Sequence, residues 1–144
     1  MSLYLDSAYI AKCYLNERDA DRVRDVVRGE SGLTSSEWCR AEIACIYFRH
    51  VREGALTRAQ ARELHALFID DVRDGVWTLV PVSSALLDAL EARLKQFRRR
   101  DVFLRAGDAV HLTAAAEAGF HEIWTNDRHM LRAARWFGLR GRSV

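Results

Sequence analysis

Short apolar runs with strand character alternate with amphipathic helical stretches along this chain, and that alternation restricts the fold more than any other feature. Leu3-Tyr4-Leu5 reads as a buried strand ending at Asp6, with Ser7 as the N-cap of a helix over 8–15. A second helix is expected over 19–28, where Val23, Val26 and Val27 share a face, and Gly29 and Gly32 break it. Leu33-Thr34-Ser35 is a brief strand or turn, and Ser36 caps a long helix over 38–52. Thr57 caps the next helix, which stops at Gly75. Val76 to Val80 is a strand closed by Pro81, and Ser83 or Ser84 starts a helix that runs through Leu94. Gly107-Asp108 opens a helix over 109–118, Glu122 to Thr125 is a strand, and Asn126-Asp127 caps a helix over 128–137 before a tail with strand character.

Strands joined by helical crossovers lie parallel and carry helices on both faces. The expected fold is therefore α/β, a three-layer α/β/α arrangement around a central, mostly parallel sheet of about four to five short strands. No repeat or linker interrupts the alternation, so residues 1–144 are expected to form a single domain.

Composition removes several alternatives. Hydrophobic residues at 49% and charged residues at 29% suit a globular protein rather than a disordered one. No apolar run approaches the ~20 residues that span a bilayer. No leader precedes the first strand, so a cytoplasmic location without membrane contact is expected. Cys13, Cys39 and Cys45 include no C-x-x-C pair, which argues against a disulfide framework or a zinc site. Cys13 and Cys45 are expected in the core. The net charge of +2 is uneven: residues 1–74 carry 11 basic and 13 acidic side chains, residues 75–144 carry 11 and 7. Arginine makes up 20 of the 22 basic residues, and its planar fork suits phosphate.

The candidate chemistry rests on Asp6, Glu42, Asp108 and Asp127. Ligands of open α/β sheets bind outside the carboxyl ends of the strands, and Asp6, Ser35 to Glu37 and Thr125 to Asp127 all lie at such ends. Asp6, Asp108 and Asp127 also suit helix caps, whereas Glu42 stands among Ala41, Ile43, Ala44 and Cys45, where a lone charge is costly. Two carboxylates ~5 Å apart at an effective dielectric of ~20 repel by about 3 kcal/mol. Convergence of all four therefore calls for a cation or for protons. Oxygen donors of this kind suit Mg²⁺, which keeps several waters, and a metal so held activates a water and stabilises charge on a phosphodiester.

The segments Tyr4 to Lys12, Ser35 to Glu42, Leu104 to Leu112 and Trp124 to Leu131 resemble, in order and spacing, the PIN-domain ribonucleases of the VapC toxin type, over essentially the whole chain. The stretch Leu104-Arg105-Ala106-Gly107-Asp108-Ala109-Val110-His111-Leu112 and the turn Thr125-Asn126-Asp127-Arg128 carry most of the likeness. The resemblance implies a Mg²⁺- or Mn²⁺-dependent endoribonuclease, the toxin of a toxin–antitoxin pair, with RNA as substrate, a cognate antitoxin as partner, and a homodimer or larger toxin–antitoxin assembly. It implies that Asp6, Asp108 and Asp127 hold the metal directly or through its waters. Glu42 completes the acidic cup, and Thr125 bonds a carboxylate or phosphate oxygen. Gly107 departs from the pattern, because relatives often carry an aromatic residue there; the glycine loosens the helix start.

Ser7, Asn126, Arg105 and Arg128 are candidates for contact with substrate, although Ser7 also reads as a plain cap and Asn126 as a turn residue. His111, one turn after Asp108, is expected to be a packed, hydrogen-bonded histidine rather than a general base. Arg93, Lys95, Arg98, Arg99 and Arg100 lead into the Asp108 segment and offer phosphate contacts. Tyr9, Cys13, Tyr14, Trp38, Phe48 and Trp136 are expected in the core rather than at a partner surface. A catalytically silent PIN-like module that binds RNA or protein is the alternative.

Overall fold

A computed structural model of the chain describes residues 2–144. Five short strands and seven α-helices follow one another: β1 (Ser2–Tyr4), α1 (Ser7–Tyr14), α2 (Ala20–Val27), β2 (Gly32–Ser36), α3 (Trp38–Arg52), α4 (Arg58–Arg73), β3 (Trp77–Val80), α5 (Ser84–Gln96), α6 (Ala106–Glu117), β4 (Glu122–Trp124), α7 (Arg128–Ala133) and β5 (Arg140–Arg142). A 3₁₀ turn, Ala134–Phe137, continues α7. Among the described residues no helix is long and apolar enough to cross a membrane.

All strand pairs are parallel. β1 pairs with β2 and β2 with β3, while β4 pairs with β5. A bridge between Leu5 and Trp124 joins the two ladders, reinforced by the Asp6 N–H donating to the Trp124 carbonyl at 3.1 Å. The strands therefore run in the order β3-β2-β1-β4-β5. The chain moves outward from β1 to β3 and then returns to the other side of β1. The reversal lies between β1 and β4, where an open parallel sheet leaves a crevice at its carboxyl edge.

Alternation along β1 divides the core. Leu3 and Leu5 pack into one apolar cluster with Tyr9, Ile10, Ile43 and Phe68 from α1, α3 and α4. Tyr4 points the other way, into a cluster with Leu86, Val110, Leu112 and Met130 from α5, α6 and α7. This is the expected helix–sheet–helix layering.

Several local expectations are corrected. Asp6, not Ser7, caps α1: its carboxylate accepts from the Tyr9 N–H at 2.8 Å, and Ser7 begins the helix. Ser36 belongs to β2, and α3 starts behind Glu37 without a side-chain cap. Helix α6 begins at Ala106, so Asp108 lies inside the first turn. Cys45 is exposed, as are Trp38, Phe48 and Trp136. Apolar spacing marks a helix face but does not say whether another layer covers it. Tyr9 is fully buried, while Cys13 and Tyr14 are partly covered.

Outside the sheet, α1 and α3 are tied through the segment after α1. Glu17 accepts from Lys12 Nζ at 3.3 Å and from His50 Nε2 at 2.6 Å. Burial works to raise the Glu17 carboxyl, but the partners outweigh it and hold the carboxyl below its ordinary value. A lowered folded-state pKa stabilises the fold above the unfolded value, and that contribution is lost as pH falls through the folded value. Glu17→Gln is expected to cost about 0.5–1 kcal/mol at neutral pH. The difference from the parent protein should close in acid, below the ordinary carboxyl pKa, in paired urea titrations.

Candidate active site

The crevice predicted by the strand order is present. A cleft of about 690 Å³ opens at the carboxyl edge, and Asp6, Glu42, Asp108 and Asp127 all line it. They come from four places: the end of β1, the second turn of α3, the first turn of α6, and the loop between β4 and α7. Ser7, Arg105 and Asn126 line the same cleft. Thr125 does not reach the opening; it is fully buried against Asp6. Arg128 is exposed on α7 and stands outside the lining.

Each carboxylate has its own partners. Asp6 is only 5% exposed. It accepts the Tyr9 N–H through Oδ1 and the Thr125 hydroxyl through Oδ2, the latter at 2.5 Å. The Thr125 hydroxyl also accepts the Asp127 N–H at 3.0 Å, so one oxygen fixes two acids. Burial still dominates Asp6 and raises its pKa, against the lowering by Thr125 and Tyr9.

Glu42 is paired through helix α6. His111 lies one turn after Asp108, and its Nε2 stands 2.7 Å from Glu42 Oε1 and 3.0 Å from the Ser7 hydroxyl. Ser7 Oγ also donates to Glu42 Oε1 at 3.0 Å. An ionised carboxylate only accepts, so Nε2 carries the proton. The Tyr4 hydroxyl lies 3.1 Å from Nδ1, within hydrogen-bond distance, and burial keeps that phenol protonated by raising its pKa. Burial of Glu42 works to raise its carboxyl, yet His111, Ser7 and Arg105 together bring it below the ordinary value. The environment thus pushes Asp6 and Glu42 in opposite directions within one cleft.

Asp108 and Asp127 share Arg105. The guanidinium donates to Asp108 through Nε at 3.0 Å and to Asp127 Oδ2 through Nη2 at 2.6 Å. The Arg105 backbone N–H also donates to Asp108, at 3.2 Å. Asp127 Oδ1 meanwhile caps α7, accepting from the His129 and Met130 N–H groups. The acidic pair therefore already holds a cation, one supplied by the chain.

Whether these side chains suit a metal has two sides. In kind they do, since four carboxylates at one cleft are hard oxygen donors of the sort that Mg²⁺ and Mn²⁺ take. In placement, no group of three or more His, Cys, Asp or Glu side chains among the described residues stands ready to hold an ion. A cation entering between Asp108 and Asp127 would have to take the place of the Arg105 guanidinium.

Reasoning from the sequence missed part of the wall. Trp38, Lys12 and Arg49 line the cleft; His111, expected to be packed and hydrogen-bonded, is so, and its partner among the acids is Glu42. The spacing of His111 from Asp108 already placed it on the acid's helix face, because residues three apart share a face. Asn126 is fixed by Tyr9: its Oδ1 accepts from the Tyr9 hydroxyl at 2.7 Å.

Fold and site together define a small parallel α/β protein with an acidic cleft at the point where its strand order reverses. The sequence model of the PIN domain matches residues 3–135, and the chain belongs to that family. Among solved structures, the crystal structure of VapBC2 from Rickettsia felis bound to a DNA fragment from their promoter matches with a TM-score of 0.69 at 9% identity, over 100% of this chain and 99% of that one. At that identity the likeness is one of fold. None of the curated proteins gives a match.

The Thr125 hydroxyl carries a clear consequence. Thr125→Val keeps the volume and leaves the buried Asp6 carboxyl without its donor, which is expected to cost about 1–3 kcal/mol. Thr125→Ser, which retains the hydroxyl, should cost less. Chemical denaturation of the two variants beside the parent measures the difference; equal losses would mean that shape rather than the hydrogen bond matters.

Proposed function

We propose that this chain is a divalent-metal-dependent endoribonuclease of the VapC type, the toxin of a toxin–antitoxin pair. PIN domains are generally nucleases. The observation that carries the reading is the single cleft lined by Asp6, Glu42, Asp108 and Asp127. In this reading Asp6, Asp108 and Asp127 hold Mg²⁺ or Mn²⁺, directly or through water. When bound, the ion supplies a water of lowered pKa and offsets charge on the phosphodiester. Glu42, held by His111 and Ser7, orients the attacking water and receives its proton. Thr125 keeps Asp6 in place. Arg105, displaced from Asp108 and Asp127, turns its fork to a phosphate oxygen, with Asn126 in the same cleft, and Arg128, outside the lining, contacts the RNA further along its backbone. The partners in this reading are an RNA substrate, a cognate antitoxin and a second copy of the chain, all in the cytoplasm, and the whole of residues 1–144 acts as one domain.

A second reading has one observation in its favour. Arg105 holds the acidic pair that the metal needs, and a chain in which that pair never releases it would be a silent PIN-like module binding RNA or protein.

Cleavage separates the two. Purified protein is expected to cut single-stranded RNA only with Mg²⁺ or Mn²⁺ present, and Asp6→Asn or Asp108→Asn should reduce cutting by about 100-fold or more. RNA left intact at every metal concentration, with binding retained, selects the silent module.

Arg105 provides an independent readout. Its loss should lower the metal-free melting temperature, because two carboxylates then face each other without a counter-ion. The same loss should tighten Mn²⁺ binding by roughly 10-fold, the equivalent of about 1.4 kcal/mol. Calorimetric titration of Arg105→Gln against the parent tests this, and equal affinities would show that guanidinium and ion do not compete.

A further inference from the structure

Trp38 is a large side chain left 37% exposed at the first position of α3, and it lines the cleft with Asp6, Glu42 and Asp108. Its seat is built by an absent side chain. A Cβ at Gly107 would lie 2.7 Å from the indole Nε1 and 3.5 Å from Glu42 Oε2. At the nearer distance something must shift, and the atom met is the far end of a part-exposed side chain, so a Cβ at 107 would displace the indole from its place over the first turn of α6, beside the acids.

The cleft is also far larger than an ion requires. Its volume of about 690 Å³ falls among the ~300–1,000 Å³ of organic ligand sites. Further along α3, Ala41, Cys45 and Ile46 also line the cleft and add apolar surface beside Glu42. An acidic cleft repels a phosphate backbone, so a nucleic acid must gain affinity there from uncharged parts. Stacking of an unpaired base on an aromatic face supplies it, because every base has a π-face and stacking does not depend on backbone charge. Arg49, also on α3 and at the cleft, offers a cationic contact for the flanking backbone.

We propose that the Trp38 indole, seated over Gly107, is a stacking platform for an unpaired RNA base next to the scissile phosphate. The proposal rests on the ribonuclease reading and deepens it: the substrate must be single-stranded where it is cut. Trp38 acts in this scheme as a binding and specificity residue and takes no part in the bond-breaking step.

The test uses full-length protein carrying Asp108→Asn, so that RNA is bound without being cut, and an unpaired oligoribonucleotide containing 2-aminopurine. Trp38→Ala should weaken binding by about 5- to 100-fold, and Trp38→Phe should restore most of it. Gly107→Ala, which displaces the indole without removing it, should weaken binding in the same direction. On the RNA side, one abasic position should cost as much as Trp38→Ala, and the two losses should not add. The abasic scan needs no change at Trp38 and stands even where that variant folds poorly. Unchanged affinity in Trp38→Ala, or additive losses, overturns the platform. A Trp38→Ala protein that loses a protein partner but binds RNA as before also overturns it, making the indole a protein contact. If the parent still cuts RNA in those cases, the ribonuclease reading survives. If the parent neither binds nor cuts RNA, that reading falls and the platform with it.

Discussion

Like charges gathered in one crevice are the constraint on which this structure turns. Carboxylates ~5 Å apart repel by about 3 kcal/mol even at an effective dielectric of ~20, so a single uncompensated pair at that distance would take a sizeable part of a small domain's stability. The chain separates the problem into three. Asp108 and Asp127 share one guanidinium. Glu42 receives an imidazole N–H and a hydroxyl. Asp6, the most enclosed, takes a backbone N–H and the Thr125 hydroxyl, and burial raises its pKa regardless. Arg105, His111 and Thr125 are thus explained by the acids they serve, and the two buried ones, His111 and Thr125, would be costly at their positions without a partner.

The sheet determines which elements meet. β1 and β4 end side by side, so Asp6 and the Thr125–Asp127 turn converge without long loops. Helices α3 and α6 start near the same edge and bring Glu42 and Asp108 from the two sides. Tyr4 connects the layers. It belongs to the α6 side of the core, and its hydroxyl reaches His111 Nδ1, so the buried strand also orients the ring of the histidine that meets Glu42.

Much of this was legible in the sequence, for a physical reason. Strand-to-helix alternation follows from local apolar periodicity, and acids at strand ends follow from where strands stop. Glu42 was pointed to by its isolation among apolar neighbours. What stayed hidden depends on contacts between distant segments. Arg105 read as a substrate contact, and only the fold brings Asp127 within 2.6 Å of it. Ser7 read as a cap because serine before a helix usually is one, but Asp6 capped first and left that hydroxyl to Glu42. Cys45 and Trp38 read as core because helical spacing marks a face and cannot show that the face borders a cleft.

Gly107 shows how two such hidden facts explain each other. Taken alone, a glycine in the first turn of α6 is a weakness, costing about 1 kcal/mol against alanine in helix propensity. Taken alone, an exposed tryptophan at the start of α3 is an unburied apolar surface. Placed together they are one feature, since the missing Cβ is the space that the indole occupies. The helix accepts a poorer former so that an aromatic ring from another element can border the acids. Neither residue has a sufficient reason in its own segment, so the reason lies in the cleft that both adjoin, and in what that cleft must hold besides charge.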